Sequence, residues 1–253
     1  MNHIERSTKM HDMAEDRDGY TDAKGEFIHA IAQRAKTLAE KMDEFFAARL
    51  GIYEDNMLMN VEGLPEGYAE LAKHIPLGAK TLLDLGCGTG LELEEIYKLH
   101  PDIIVTGIDI TQPMLTMLSG KYPDKDITLV RASYLGYDFG TEQYDCVISF
   151  ETMHHWTHEE KLGVYKNIRR ALKPEGRYVE CDYMVEEQSE EDQMFAQSKR
   201  IRAEQNIPDG EFYHLDTPCT IDNQIKLLNQ SGFADVQMVW RKGATTVIVS
   251  DKP

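Results

Sequence analysis

The stretch Thr81-Leu-Leu-Asp-Leu-Gly-Cys-Gly-Thr-Gly90 decides the fold of this chain. Residues 81–85 form a short apolar run, and glycines follow at positions 86, 88 and 90. Such a run predicts a buried strand. Glycines directly after it let the backbone turn sharply and approach a ligand where a side chain would collide. Because a helix-like segment follows at 91–100, the stretch predicts a nucleotide-binding loop at the carboxyl end of a parallel sheet.

The spacing of the glycines narrows the class of ligand. A dinucleotide fingerprint requires G-x-G-x-x-G/A, but Leu91 stands at its sixth position, and the Gly-Lys-Ser/Thr of a phosphate-binding loop does not occur. The carboxylates of Asp84 and Glu92 flank the loop. They would repel a diphosphate but suit a ligand that carries ammonium and sulfonium charges. A nicotinamide oxidoreductase is therefore the less favoured of the related functions.

Strand-like and helix-like segments alternate from the glycine loop onward. The predicted strands are 81–85, 103–109, 127–132, 144–150 and 176–184, and the predicted helices lie at 91–100, 113–120 and 159–172. Thr157 and Glu160 form a capping box before the last of these helices. Alternation of this kind predicts a parallel sheet with helices on both faces.

The two ends of the chain depart from this alternation. Residues 1–23 are polar and predict a flexible leader. The next apolar side chains recur at spacings of three and four and predict one stripe along a long helix: Ile28, Ile31, Ala35, Leu38, Met42 and Phe45. We interpret this helix as packing on the domain's own core, with a dimerisation helix as the alternative. At the other end, a helix capped by Thr220 precedes segments 236–240 and 245–250, which predict an antiparallel hairpin.

Composition limits the function further. The chain has 253 residues and a net charge of −17, which disfavours binding to nucleic acid or to an anionic membrane surface. No run approaches the length of a membrane span. The cysteines are too widely spaced for a disulfide framework or a structural zinc site, so we expect a cytoplasmic protein.

Asp109 ends the second predicted strand, 19 residues beyond Gly90. An acid at this position can accept both ribose hydroxyls of an adenosine, whereas the alternative is a helix cap, because Thr111 and Pro113 follow. Together, DLGCGTG, Asp109, YDCVISF (144–150) and LKPEG (172–176) resemble the class I S-adenosylmethionine-dependent methyltransferases. The resemblance covers roughly residues 71–183. It implies a Rossmann-like α/β fold, doubly wound around a mostly parallel seven-stranded sheet, with an antiparallel C-terminal hairpin and a helical N-terminal extension.

The resemblance also implies which residues hold the cofactor S-adenosylmethionine. Gly86, Gly88 and Gly90 would line its methionine portion, with Asp84 near the ammonium group and Tyr53 over the methionine end. Asp109 would hold the ribose, flanked at the adenine by Ile110 and Met114. The remaining implied contacts follow the third and fourth strands: Ala132, Ser133 and Phe150. Ser133 stands where the family often has an aspartate.

Methyl transfer requires alignment of a nucleophile with the methyl carbon, and a base only where the nucleophile must lose a proton. The candidate catalytic residues follow parallel strands or lie in the predicted lid: Glu151, His154, His155, Asp182 and His214. For either histidine of the pair, a base and an ordinary loop-orienting hydrogen bond are equally plausible readings. The two histidines with Glu180, Asp182 or His214 offer metal-ligand chemistry as an alternative. Adjacent histidines in a loop are poorly placed to share one ion, so we predict no metal.

These observations predict a single domain over residues 24–253. Its parts are a helical cap (24–75), a cofactor-binding core (80–184), a lid insert (185–218) and a C-terminal helix and hairpin (219–253). The predicted function is methyl transfer to a small-molecule nucleophile, and a non-catalytic regulator that binds S-adenosylmethionine is the alternative. The hypothesis for a protein partner is a homodimer.

Overall fold

A computed structural model describes residues 38–253, of which Glu40–Pro253 form one compact unit. Its α-helices are α1 (Met42–Met59), α2 (Leu64–Lys73), α3 (Glu92–Leu99), α4 (Gln112–Lys121), α5 (His158–Ala171), α6 (Gln188–Glu204) and α7 (Ile221–Gln230). The strands are β1 (Thr81–Leu85), β2 (Ile104–Asp109), β3 (Ile127–Arg131), β4 (Tyr144–Phe150), β5 (Leu172–Tyr183), β6 (Ala234–Lys242) and β7 (Thr245–Asp251). A 3₁₀ turn at Met153–His155 follows β4.

The strands form one seven-stranded sheet in the order β3-β2-β1-β4-β5-β7-β6. Strands β1 to β5 pair in parallel, and β7 pairs antiparallel with both β5 and β6. This topology confirms the predicted doubly wound sheet with an antiparallel C-terminal hairpin. The order reverses direction at β1, where ligands bind in folds of this kind.

Both faces of the sheet are covered by apolar layers. Alternate residues of β1 enter different layers: Leu82 packs into one, whereas Leu83 and Leu85 pack into the other. Helices α2 and α3 contribute to the first layer and α5 and α7 to the second. Burial on both faces explains why the parallel strands read as continuous apolar runs.

Two local predictions are wrong in their boundaries. The strand predicted from residue 176 begins at Leu172, which pairs with Tyr144, and it passes through Glu175 with a left-handed φ of 62°. The long helix predicted through Met42 does not extend back to residues 38–41. There Lys41 is extended and pairs with Tyr213.

The predicted capping box, the cap at Thr220 and the hairpin are confirmed. Thr157 Oγ1 accepts from the Glu160 N–H, and the Glu160 carboxylate accepts from the Thr157 N–H at 2.8 Å. Thr220 Oγ1 accepts from the Asn223 N–H. The predicted leader and the stripe from Ile28 to Ala35 lie outside the described residues. Within residues 38–253, no helix is both long and apolar enough to cross a bilayer.

Candidate active site

The glycine turn after β1 has a backbone conformation that other residues adopt only with strain. Gly86, Gly88 and Gly90 have φ angles of 71°, 46° and 70°. A Cβ on Gly86 would lie 2.6 Å from Thr152 Oγ1, and one on Gly90 would lie 2.9 Å from Leu118 Cγ. A Cβ on Gly88 would meet no atom closer than 3.7 Å. Gly86 and Gly90 therefore permit close packing, while Gly88 leaves open space for a ligand.

Asp109 faces this turn from the end of β2. Its Oδ2 accepts from the Gly88 N–H at 3.0 Å, and its Oδ1 accepts from the Thr111 N–H at 2.7 Å. Burial raises the pKa of Asp109, although the two N–H groups oppose the rise. Each carboxylate oxygen has a further lone pair beyond the one used in these bonds. Asp109 therefore holds the N-cap residue of α4 without capping the helix itself, and it can also accept hydroxyl groups of a ligand.

A cleft of about 520 Å³, measured out to its open mouth, lies beside this turn. Ten of the sequence-predicted residues line it: Tyr53, Gly86, Gly88, Asp109, Ile110, Met114, Ser133, Phe150, Glu151 and His155. The remaining predicted residues are not among its lining: Asp84, Gly90, Ala132, His154, Asp182 and His214. The cleft thus unites most of the predicted cofactor residues with one histidine.

Behind the glycine turn lies a pair of buried carboxyl groups. Asp84 and Glu92 are 1% and 6% exposed, and neither Asp84 oxygen has a hydrogen-bond partner in the described part of the chain. Burial and the neighbouring Glu92 raise the pKa of Asp84. The pair lies outside the cleft lining, so any contribution of Asp84 to an ammonium group passes through backbone or water.

The 3₁₀ turn after β4 carries His154, which is held by Asp182. His154 Nδ1 lies 2.5 Å from Asp182 Oδ1, and Asp182 Oδ2 accepts from the Met153 and His154 N–H groups at 2.6 and 3.2 Å. Burial lowers the pKa of His154, but the charges of Asp182, Asp216 and Glu151 outweigh it and raise the pKa to about 9. Burial and Asp182 raise the pKa of Glu151 to about 8. The carboxyl groups around His154 therefore favour a positive charge there, which a proton or a bound cation can supply.

His155 lies next to His154, and His214 lies next to His155. His155 Nδ1 is 3.2 Å from Asp216 Oδ1, and the His155 and His214 rings are 4.9 Å apart. His214 stacks on Phe45 at 3.6 Å, and burial lowers the pKa of His214 to about 3. Of the three histidines, only His155 is part of the cleft wall. The predicted catalytic residues thus form one cluster, of which His155 and Glu151 reach the cleft.

Sequence reasoning missed several residues that complete the site. Met42, Phe46 and Thr152 line the cleft, and Asp216 faces the histidines. The sequence does contain a signal for Met42 and Phe46, because Met42, Phe46 and the predicted Tyr53 follow one another along α1 at spacings of four and seven residues. That spacing places them on one helical face. No comparable pattern marks Asp216, which lies in an irregular segment.

The residues present fit the cofactor implied by the resemblance. Ile110 and Met114 supply an apolar wall for a purine, and Asp109 supplies acceptors for ribose hydroxyls. The open space beside Gly88 leaves room for the methionine portion. The acidic groups nearby favour the charges of a sulfonium and an ammonium over those of a diphosphate.

Comparison with known proteins agrees with this fit. A family described as "Methyltransferase domain" matches residues 82–176. The cypemycin N-terminal methyltransferase of a Streptomyces species is 32% identical over 120 residues, covering 45% of this chain and 46% of that protein. A sterol 24-C-methyltransferase of Gibberella zeae is 27% identical over 157 residues, covering 60% of this chain and 39% of that protein. The matched segments span less than half of these two relatives.

Solved structures share the fold at low sequence identity. The 1,6-didemethyltoxoflavin-N1-methyltransferase of Burkholderia thailandensis, solved with S-adenosylhomocysteine bound, matches with a TM-score of 0.56 and 19% identity over 82% of this chain and 87% of that one. Human N-acetylserotonin methyltransferase, in complex with S-adenosylmethionine, matches with a TM-score of 0.56 and 18% identity over 75% of this chain and 52% of that one.

Proposed function

Because this chain belongs to the class I S-adenosylmethionine-dependent methyltransferase family, we propose that it transfers a methyl group to a small-molecule nucleophile by in-line displacement. The observation that carries the proposal is the pairing of the glycine turn with Asp109 across one cleft, joined by the 3.0 Å bond from the Gly88 N–H. This arrangement supports binding of an adenosyl sulfonium at the carboxyl ends of β1 and β2.

The chain's own residues would bind and orient the reactants. When bound, the cofactor supplies a methyl group on a positively charged sulfur that a nucleophile can attack directly. Asp109 would hold the ribose, Ile110 and Met114 the adenine, and the Gly86–Gly88 backbone the methionine portion. Holding two reacting atoms within about 3–3.5 Å in line is the main requirement for such a transfer.

The acceptor end of the cleft supports a partly apolar small molecule. Met42, Phe46 and Trp156 form its apolar wall, while His155 and Glu151 supply polar groups. A few polar groups on an apolar wall are typical of small-molecule sites. The net charge of −17 further disfavours a nucleic-acid substrate.

Cofactor binding is tested by calorimetric titration with S-adenosylhomocysteine. Loss of a charge-assisted hydrogen bond costs about 1.5–3 kcal/mol, so we expect Asp109→Ala to weaken binding by roughly 10-fold or more. Asp109→Asn, which keeps the shape of the side chain, should also weaken binding. The matched control is Asp138→Ala, since the Asp138 side chain is 78% exposed, pairs with the partly exposed Arg170 and is not among the residues that line the cleft. No binding by the wild-type chain would overturn the proposal.

Turnover separates an enzyme from the regulatory alternative. The wild-type chain is incubated with methyl-labelled S-adenosylmethionine and pools of small phenols, amines and thiols. Transfer of label to any acceptor, abolished in a variant that no longer binds cofactor, supports the proposal. Tight cofactor binding with no labelled product from any pool would favour the non-catalytic regulator instead.

A further inference from the structure

Three side-chain atoms with metal-ligand chemistry converge beside the acceptor end of the cleft. His154 Nε2 lies 3.8 Å from Asp216 Oδ1, and His155 Nδ1 lies 3.2 Å from the same oxygen. One ligand-type atom from each of the three residues lies within 4.8 Å of those of the other two. Ligands about 2.0–2.2 Å from a tetrahedral ion are roughly 3.4 Å apart. The two spacings to Asp216 Oδ1, 3.8 and 3.2 Å, lie on either side of this value, so this carboxylate oxygen is placed to share one ion with both rings.

Two of these atoms are buried without a hydrogen bond. His155 Nδ1 and Asp216 Oδ1 face each other at 3.2 Å as an ion pair, and neither atom has a well-aligned hydrogen bond in the described part of the chain. The His155 side chain is 3% exposed. A buried polar atom left without a hydrogen bond destabilises the fold. A ligand between the two atoms would remove this cost.

The Asp182 carboxylate holds the ring that carries the third atom, His154 Nε2. Because Asp182 Oδ1 lies 2.5 Å from His154 Nδ1, one proton of the ring is held on that side, and a metal ion that displaces the second proton would bind through Nε2. Metal-binding histidines commonly donate their second N–H to a carboxylate in this way. Asp182 is therefore a positioning residue for His154.

The backbone explains how adjacent histidines come to face one point. The 3₁₀ turn at Met153–His155 brings the two rings to 4.1 Å, with 59° between their planes. Thr217 fixes the opposite segment, because its N–H donates to the His154 carbonyl at 2.6 Å and its Oγ1 lies 3.1 Å from the Trp156 carbonyl. This convergence removes the geometric reason for predicting no metal from the sequence.

We propose that His154, His155 and Asp216 bind one divalent first-row transition-metal ion. Two imidazoles with one carboxylate suit zinc or ferrous iron better than magnesium or calcium, which prefer oxygen ligands. His155 also lines the cleft, so the ion would be next to the acceptor. There it would favour an acceptor with a metal-binding oxygen or nitrogen. This role rests on the proposed function, whereas the site itself rests on its own geometry.

Two other groups of ligand-type side chains in residues 38–253 are less suitable. Glu151, His154 and Asp182 would require His154 Nδ1, which already bonds to Asp182. In the group of His158, Glu191 and Cys219, the Glu191 carboxylate accepts from the Thr220 N–H at 2.5 Å and from Asn223 Nδ2 at 2.8 Å.

Cobalt(II) titration of the full-length, untagged, chelator-stripped chain tests the site directly. We expect one equivalent of Co²⁺ to produce visible d–d absorption, and Zn²⁺ to displace it. Asp216→Asn and His155→Ala should each weaken Co²⁺ binding by roughly 10-fold or more, and Asp182→Asn by about 10–100-fold. His158→Ala is the matched control and should leave the titration unchanged, since it alters only the second group. Circular dichroism checks that each variant is folded.

The outcomes separate this inference from the proposed function. No Co²⁺ spectrum, or a spectrum insensitive to both Asp216→Asn and His155→Ala, would overturn the metal site. S-adenosylhomocysteine affinity is measured on the same samples. If it is absent while the mutation-sensitive Co²⁺ spectrum is present, the metal site stands and the methyltransferase proposal fails.

Discussion

At the scale of single residues, a comparison of Gly86 with Gly78 distinguishes the cost of a strained backbone from the cost of a steric clash. Both glycines have positive φ angles, 71° and 84°, but a Cβ on Gly78 would meet nothing within 4 Å. A Cβ on Gly86 would lie 2.6 Å from Thr152 Oγ1. Gly86→Ala should therefore be more destabilising than Gly78→Ala, by about 1–3 kcal/mol in the free energy of unfolding.

Urea denaturation of the two variants measures this difference. Gly86→Ala should also weaken S-adenosylhomocysteine binding, because Thr152 and the turn both line the cleft, whereas Gly78→Ala should bind normally. Equal losses of stability in the two variants would show that the Thr152 contact relaxes without cost.

At the scale of secondary-structure elements, Asp145 joins the beginnings of three strands. Its carboxylate accepts from the Lys80 and Thr81 N–H groups at 2.9 Å each and from Lys173 Nζ at 2.8 Å. Burial alone would raise the pKa of Asp145, but Lys173 and the two N–H groups outweigh it and lower the pKa to about 2. The ionised carboxylate therefore stabilises the folded sheet.

The sign of the resulting pH dependence follows from this depression. Because the pKa of Asp145 is lower in the folded chain than its unfolded value of about 3.9, its stabilisation is present above about pH 4 and is lost as the pH falls toward 2. Asp145→Asn should reduce the free energy of unfolding at pH 7 by an amount on the order of 1–2 kcal/mol, allowing for partial exposure. The gap to wild type should narrow as the pH decreases from 5 to 3.

Urea denaturation at several pH values checks the Asp145 prediction, with Asp102→Asn as an exposed control. The control should follow the wild-type curve. A stability gap for Asp145→Asn that stays constant down to pH 3 would contradict the assigned ion pairing.

An element can be predicted from the sequence when adjacent residues determine its bounds. It cannot be when contacts with distant segments determine them. Strand β1 and the α5 capping box are encoded in a few adjacent residues, and both are predicted correctly. The early start of β5 is not, because Pro174 suggests a break while pairing with Tyr144 extends the strand. The acceptor side of the site depends on Phe46 and Asp216, which belong to distant segments brought together only by tertiary packing.

At the scale of the whole molecule, the net charge of the chain and the carboxyl groups of the cleft both favour cationic ligands. The net charge of −17 produces a negative field. Four carboxyl groups lie in or behind the cleft, and burial raises the pKa of each, so a bound cation would favour their ionised forms whereas a bound diphosphate would oppose them: Asp84, Glu92, Asp109 and Glu151. Such a field attracts cationic ligands and repels a diphosphate. It therefore distinguishes an adenosyl sulfonium or its product from a nicotinamide dinucleotide, although both carry an adenosine that Asp109 could hold.

Thermal denaturation of the whole chain measures this discrimination. A ligand that binds only the folded state at about 100 times its dissociation constant stabilises it by about 2.7 kcal/mol. For a chain of this size that corresponds to a rise in melting temperature of roughly 5–10 °C. We expect S-adenosylhomocysteine to produce such a rise, NAD at the same concentration to produce almost none, and Asp109→Ala to abolish the response. A larger shift with NAD would mean that the cleft accommodates a diphosphate, and the charge argument that separates the two cofactors would then be wrong.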